Sequence, residues 1–346
     1  MNSRHVDKLG VKKISPARRK IVCLSKEELV RFGSLEDGKS TPFLIEPAIT
    51  GLSLVDWAKN NRSIIEASLY KHGAILFRGF NMGGMKEYEQ FVKAVSDEML
   101  DYRERSSPRT QVGDRIYTST DYPPNQSIFL HNENSYAHLW PLKIFFFCVN
   151  PGRRDGQTPI ADTRKVLERI DHQIVARFRE RKVLYLRNFG SGLGLSWRTV
   201  FQSKDKSAVE EYCRNAGYEV RWREGDRLTI RRIGQAVATH PKTGEQVWFN
   251  HAAFFHVSTL GQNLREALLA EFQEEELPNN TYYGDGSPIE PSVLDEIRQA
   301  YRQEAIMFDW QQNDLLMLDN MLMAHGRAPF VGPRTILVAM ADPFTN

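Results

Sequence analysis

The sequence predicts a mainly β protein with helical insertions, on a closed or double-sheet β architecture. Three observations predict it. From residue 128 onward eight strand-like apolar runs recur, most of them bounded by Gly, Asp, Asn or Pro. Few helical patterns separate these runs, which suits a closed or double-sheet arrangement. No internal repeat, low-complexity tract or Pro-rich linker divides the chain. One domain over residues 21–346, preceded by a basic tail over 1–20, is therefore the expected organisation, and 346 residues suffice to bury a substantial core.

The elements follow in chain order. The opening "MNSRHVDKLGVKKISPARRK" is basic and lacks sustained apolar periodicity, so a mobile tail is expected there. "LSLVDWAKNNRSIIEASLYKHGAILFRGF" has helix-like apolar spacing from Leu52 to Leu69, then a buried strand at Ala74–Phe77 closed by Gly79. The later strand candidates are "KIFFFCVN" (143–150), "KVLYLRNF" (182–189), "YEVRWR" (218–223), "RLTIRR" (227–232), "QAVATH" (235–240), "EQVWFN" (245–250), "DLLMLDN" (314–320) and "RTILVAM" (334–340). Helical interruptions are expected at 162–180, 205–216, 262–276 and 291–305.

Composition sets outer limits on function. A net charge of +3 without clustered basic residues gives no case for nucleic acid. The longest apolar run is too short to span a bilayer, and the N-terminus has no apolar signal-peptide core, so a cytoplasmic protein is expected. Cys23, Cys148 and Cys213 are widely spaced with no CxxC pair, which suits buried small hydrophobes in a reducing compartment.

One motif carries chemistry. "FLHNENSY" places His131 and Glu133 on alternate positions, and on a strand both would face the same side and reach one ion. Nine histidines and 43 acidic residues supply about one His-x-Asp/Glu match by chance, and two occur. The other, His5-Val6-Asp7, lies in the basic tail, where nothing would fix its geometry. Two ligands are too few, because the facial triad of non-haem Fe(II) oxygenases needs a second histidine. His325 has the best context, in an expected loop between two apolar strands, where small Gly326 would let backbone approach a ligand. Arg334 opens the second of those strands. A hairpin there would return its guanidinium beside the metal, in position to grip a dicarboxylate such as 2-oxoglutarate. His251 and His256 suit a pocket wall or core better than a helical zinc pair.

"LHNENSY", "RDGQTPIADTRKV", "GLGLSW", "VWFNHAAFFHVS", "YYGDGSPI" and "LLMLDNMLMAHGRAPFVGPRTILVAM" together resemble the SyrP-like branch of the taurine dioxygenase and clavaminate synthase (TauD/TfdA) superfamily of Fe(II)/2-oxoglutarate oxygenases, over residues 40–343. The resemblance implies a double-stranded β-helix, or jelly-roll, core. It implies Fe(II) held by His131, Glu133 and His325, and 2-oxoglutarate held at its distal carboxylate by Arg334 and Thr158, with O2 as the other co-substrate. A carboxylate at 133 leaves no vacant position for halide and favours hydroxylation over halogenation. Sulfonate-using relatives carry a second arginine four positions after the anchor, and this chain has Val338 there, so taurine is not the expected substrate.

An amino acid or amino-acid-derived substrate in natural-product biosynthesis is expected instead. Trp197, Arg231, Arg232, Asn250 and Phe255 are candidate pocket walls. Three alternatives stay open. The substrate is an aminoacyl group on a carrier protein, which the basic tail (Lys8, Lys12, Lys13, Arg18, Arg19, Lys20) would meet; the outcome is desaturation or cyclisation; or the protein is a non-catalytic jelly-roll binding module.

Overall fold

The computed structural model describes residues 29–35, 40–102, 104, 109–119, 122–190 and 192–345. The basic tail, Cys23 and the His5-Val6-Asp7 match lie outside the described residues.

The largest element is an eight-stranded sheet in the order Val30–Ser34, Phe43–Pro47, Ala74–Phe77, Leu315–Asp319, Leu139–Asn150, Thr335–Thr345, Ile116–Thr118, Gln111–Gly113. All its pairings are antiparallel except the one between Phe43–Pro47 and Ala74–Phe77. Its two faces explain the unbroken apolar runs of the sequence. Ile75, Phe77, Phe145, Phe147, Leu315, Met317, Leu337 and Ala339 pack against the helices of residues 54–95. Leu76, Ile144, Phe146, Leu316, Leu318, Ile336, Val338 and Met340 point the other way, into a second apolar layer that includes Ile160, Val247, Phe249 and Met323. Side chains on a strand alternate faces, so a strand covered on both sides reads as continuously hydrophobic.

A three-stranded sheet faces the second layer, with Met323–Arg327 in its centre between Ile128–His131 and Ile160–Asp162. These two facing sheets form the jelly-roll core. A four-stranded sheet, in the order Glu219–Arg223, Arg227–Gly234, Val183–Phe189, Asn279–Tyr283, extends it and packs the Lys206–Asn215 helix over a separate small cluster around Trp197 and Leu228. The expected helical interruptions are present as Thr163–Arg169, His172–Arg181, Lys206–Asn215, Gln262–Glu271 and Pro291–Glu304.

The structure departs from the sequence reading at three places. The periodic stretch 52–69 is two helices, Leu54–Asn60 and Arg62–His72. Asn61, at φ −130°, breaks it and turns its amide onto the Trp57 carbonyl (2.7 Å), the local competition with helical bonding that asparagine favours. His325 lies within the central strand Met323–Arg327, not in a loop. Gly326 serves that strand rather than a ligand: a Cβ there would meet the Ile128 carbonyl oxygen at 2.6 Å, so the side chain must be absent for the two strands to pair. Gly326→Ala is expected to push the Ile128–His131 strand outward and lower stability by about 2 kcal/mol. Denaturant unfolding checks it, and an unchanged midpoint would contradict the close approach.

Candidate metal centre and co-substrate cleft

Two turns set the geometry of the site. After Leu315–Asp319 the chain turns tightly, with the Asp319 carboxylate accepting from the Met321 and Leu322 amides (2.9 and 3.0 Å), and this delivers His325 to the middle of the next strand. Asn320 in the same turn clamps the other ligand-bearing segment. Its Oδ1 accepts from the Glu133 amide (2.8 Å) and its Nδ2 donates to the Glu133 carbonyl (2.9 Å), while Asn132 Nδ2 donates to the Asn320 carbonyl (2.7 Å). Glu133 therefore sits in a turn beyond the end of the Ile128–His131 strand, followed by left-handed Asn134 (φ +56°). It reaches the His131 side by this turn, not by strand alternation.

His131 and His325 are paired residues on adjacent strands, with ring centroids 4.6 Å apart. One ligand atom from each of His131, Glu133 and His325 lies within 4.8 Å of the other two. Among the described residues this is the group of three with metal-ligand chemistry. His131 Nδ1–H donates to the Phe129 carbonyl (2.8 Å), which fixes the tautomer and leaves Nε2 as the free lone pair. Phe254 stacks on the His131 ring at 4.5 Å. Burial holds both imidazoles below the usual histidine range, His325 well below it, so both are neutral and able to bind a cation at neutral pH. Glu133 Oε1 accepts from the Tyr102 hydroxyl (3.2 Å) and Oε2 from Arg109 Nη2 (2.8 Å). His325 Nδ1 is buried with no hydrogen-bond partner among the described residues. Two neutral imidazoles and one carboxylate on a single small volume fit a divalent iron ion.

A cleft runs from this group to Arg334. Its lining includes His131, His325, Thr158, Arg334, Phe146 and Val338. Arg334 Nε donates to the Gly156 carbonyl (2.8 Å) and Nη2 to Thr158 Oγ (3.4 Å), and Trp310 Nε1 donates to the same hydroxyl (3.2 Å). Gly156, at φ +85°, leaves the room that Arg334 fills, since a Cβ there would lie 3.0 Å from Arg334 Cδ. Burial and the neighbouring Arg327 push the Arg334 guanidinium down to about 10, still protonated at neutral pH.

None of the five candidate wall residues is among the residues that line this cleft. Trp197 is core, packed edge-on against Trp222 with its Nε1 on the Asp226 carbonyl. Arg231 lines a different cavity, on the four-stranded sheet. Arg232 donates to the Tyr136 carbonyl. Asn250 bridges Ala236 and Ala252, and Phe255 packs on Tyr136 and His251. Sequence reasoning missed Tyr102, Arg109, Asn320 and Arg327. Arg327 offered a signal, because it stands two positions after His325 on one strand face; it donates to the Tyr122, Pro123 and Gln126 carbonyls and holds that loop at the cleft.

The model of the taurine catabolism dioxygenase TauD, TfdA family matches residues 36–340. The chain belongs to the TauD/TfdA family. It is 37% identical over 315 residues to the dapdiamide synthesis protein DdaC of Enterobacter agglomerans, covering 88% of this chain and 96% of DdaC. It is 28% identical to a clavaminate synthase-like protein of Arabidopsis thaliana, covering 88% and 94%. The fold is similar to that of PvcB from Pseudomonas aeruginosa, with TM-score 0.54, 15% identity and 93% and 94% of the two chains covered. As a TauD/TfdA member the protein is a 2-oxoglutarate-dependent dioxygenase that uses iron. Among the described residues no helix is long and apolar enough to cross a membrane.

The buried histidines of this TauD/TfdA enzyme also predict its acid sensitivity. Burial lowers His131, His251, His256 and His325, with His256 at about 4. An unfolded chain takes up protons below about pH 6.5 that these folded groups refuse, so stability is complete above that pH and falls as the pH drops towards 4. His256 alone accounts for a loss of about 2 kcal/mol at pH 5. Thermal melts of the metal-free protein should show a lower Tm at pH 5 than at pH 7, and a flat profile would contradict the buried neutral state.

Proposed function

We propose that the protein holds Fe(II) through His131, Glu133 and His325, anchors the distal carboxylate of 2-oxoglutarate with Arg334 and Thr158, and hydroxylates an unactivated C–H of an amino acid or amino-acid-derived substrate in natural-product biosynthesis. The observation that carries this reading is convergence. His131, His325, Thr158 and Arg334 come from three separate parts of the chain and line one cleft. Kinship with DdaC, a dapdiamide synthesis protein, supports the natural-product setting. Val338 lines the cleft at the position four after Arg334, where the sulfonate-using relatives that the sequence resembles carry a second arginine, which argues against taurine.

Each residue then has a task. Arg334 offers the distal carboxylate a fixed cation, and Thr158, already aligned by Trp310, adds a hydroxyl. Tyr102 and Arg109 hold Glu133 in one orientation, and Phe254 and the Phe129 carbonyl fix the His131 ring. Phe146, Ile336 and Val338 make the cleft wall apolar and keep water from the reacting carbon. Iron with 2-oxoglutarate supplies, when bound, the oxidation that uses O2 to turn C–H into C–OH while 2-oxoglutarate becomes succinate and CO2. Substrate placement decides between hydroxylation and the desaturation or cyclisation alternative.

A carrier-bound aminoacyl substrate is the second reading. The basic tail that would dock a carrier lies outside the described residues. We place the enzyme in the cytoplasm, a reducing compartment that suits Fe(II) and the free, buried Cys148 and Cys213. The test is succinate release with a panel of L-amino acids and their carrier-bound aminoacyl forms, with products weighed by mass spectrometry. Stimulation by a free amino acid with a gain of one oxygen supports the first reading, and stimulation by carrier-bound forms alone supports the second. No stimulation by either would overturn the substrate class.

A further inference from the structure

We propose that Arg109 is the receptor for a carboxylate of the substrate. This rests on the proposed function and narrows it. Arg109 lines the same cleft as His131, His325 and Arg334, and its side chain is only 6% exposed. Its guanidinium lies over the Tyr102 ring at 4.5 Å, which holds it in place. Nη2 donates to Glu133 Oε2, but Nε and Nη1 are buried with no hydrogen-bond partner among the described residues.

A permanently charged group with two nitrogens buried and unspent is costly unless something else completes it. The other two arginines of the cleft are differently occupied. Arg334 is committed to Gly156 and Thr158, and Arg327 spends three bonds on loop carbonyls, with Nε alone left over. Arg109 is thus the cleft cation with most unspent donor capacity. Glu133 does not saturate it, because a carboxylate that gives one oxygen to a cation has less charge to share with a guanidinium. A second carboxylate, arriving with the substrate beside the metal ligands, satisfies both the hydrogen bonds and the charge. Recognition is then of the free acid, since a carboxamide or thioester at that position brings no charge. The substrate therefore keeps a free carboxylate, and any carrier linkage runs through another group.

The probes are L-amino acids and their α-carboxamides, added anaerobically to the Fe(II)/2-oxoglutarate protein while the visible absorption of the iron chelate is followed. In the wild type at least one acid should perturb the absorption at concentrations about tenfold below those its amide needs. In Arg109→Lys, which keeps a cation beside Glu133 but loses the fork, the acid preference should shrink several-fold, and in Arg109→Gln, read relative to whatever chelate absorption that variant retains, it should collapse to about equality. An acid preference unchanged in Arg109→Gln, amides equal to acids in the wild type, or no response to any acid would overturn the proposal. Where Arg109→Gln weakens the chelate through its bond to Glu133, Arg109→Lys decides, and a full wild-type acid preference in that variant would also overturn the proposal. A wild type that forms no chelate would instead defeat the iron assignment on which the proposal stands.

Discussion

His325→Ala is expected to abolish succinate formation, with a fall of at least about 10³-fold, and to release the iron while the protein stays folded. The loss follows from ligand number: His131 and Glu133 alone give a site of two ligands, too few to hold Fe(II) against water. Folding should survive because His325 Nδ1 has no hydrogen-bond partner among the described residues to orphan, and the backbone pairing of Met323–Arg327 with both neighbours does not use the side chain. Metal analysis after gel filtration, together with circular dichroism and succinate assays, checks all three parts. A folded variant that retains stoichiometric iron would contradict the role of His325. Glu133→Ala should behave alike in activity and cost more stability, since it strands the buried Arg109 cation.

Arg334→Ala is the second large effect, and it should fall on the co-substrate. Removing a buried guanidinium that faces a carboxylate costs about 2–5 kcal/mol, so the KM for 2-oxoglutarate should rise by roughly 30-fold to 5 × 10³-fold. Arg334→Lys should recover only part of this, because an ammonium lacks the fork that reaches Gly156 and Thr158 together. Initial rates against 2-oxoglutarate concentration separate this from a change in kcat. An unchanged KM in Arg334→Ala would remove the anchor from the account.

The parts of this molecule legible in the sequence were those with local signatures. Short apolar runs with bounding turn residues marked the strands of the jelly roll, and His131-Asn132-Glu133 marked the candidate metal site. The context of Arg334 was readable because it opens an apolar strand after a Gly-Pro turn. What was not legible depends on contacts far apart in the chain. "MAHGR" carries no strand pattern, and it is a strand only because two others flank it and Gly326 admits the Ile128 carbonyl. Glu133 was paired with His131 for the wrong local reason, since the turn that presents it is held by Asn320, 187 positions away. Arg109 sits among polar residues with no periodicity to distinguish it, and only the fold shows that it is buried beside Glu133. Of the five wall candidates, Trp197, Asn250 and Phe255 have ordinary structural tasks, which composition near a motif cannot separate from substrate contact.

The central claim is that His131, Glu133 and His325 hold an iron ion to which 2-oxoglutarate binds under the grip of Arg334. The measurement that tests it most directly is an anaerobic titration of the metal-free wild type with Fe(II) in the presence of 2-oxoglutarate, following the visible charge-transfer absorption of the chelate. The account predicts absorption that saturates at one iron per chain, is lost in His131→Ala, and in Arg334→Ala needs far more 2-oxoglutarate to appear. A folded, iron-loaded wild type without the absorption, or a band of full intensity in His131→Ala, would contradict it.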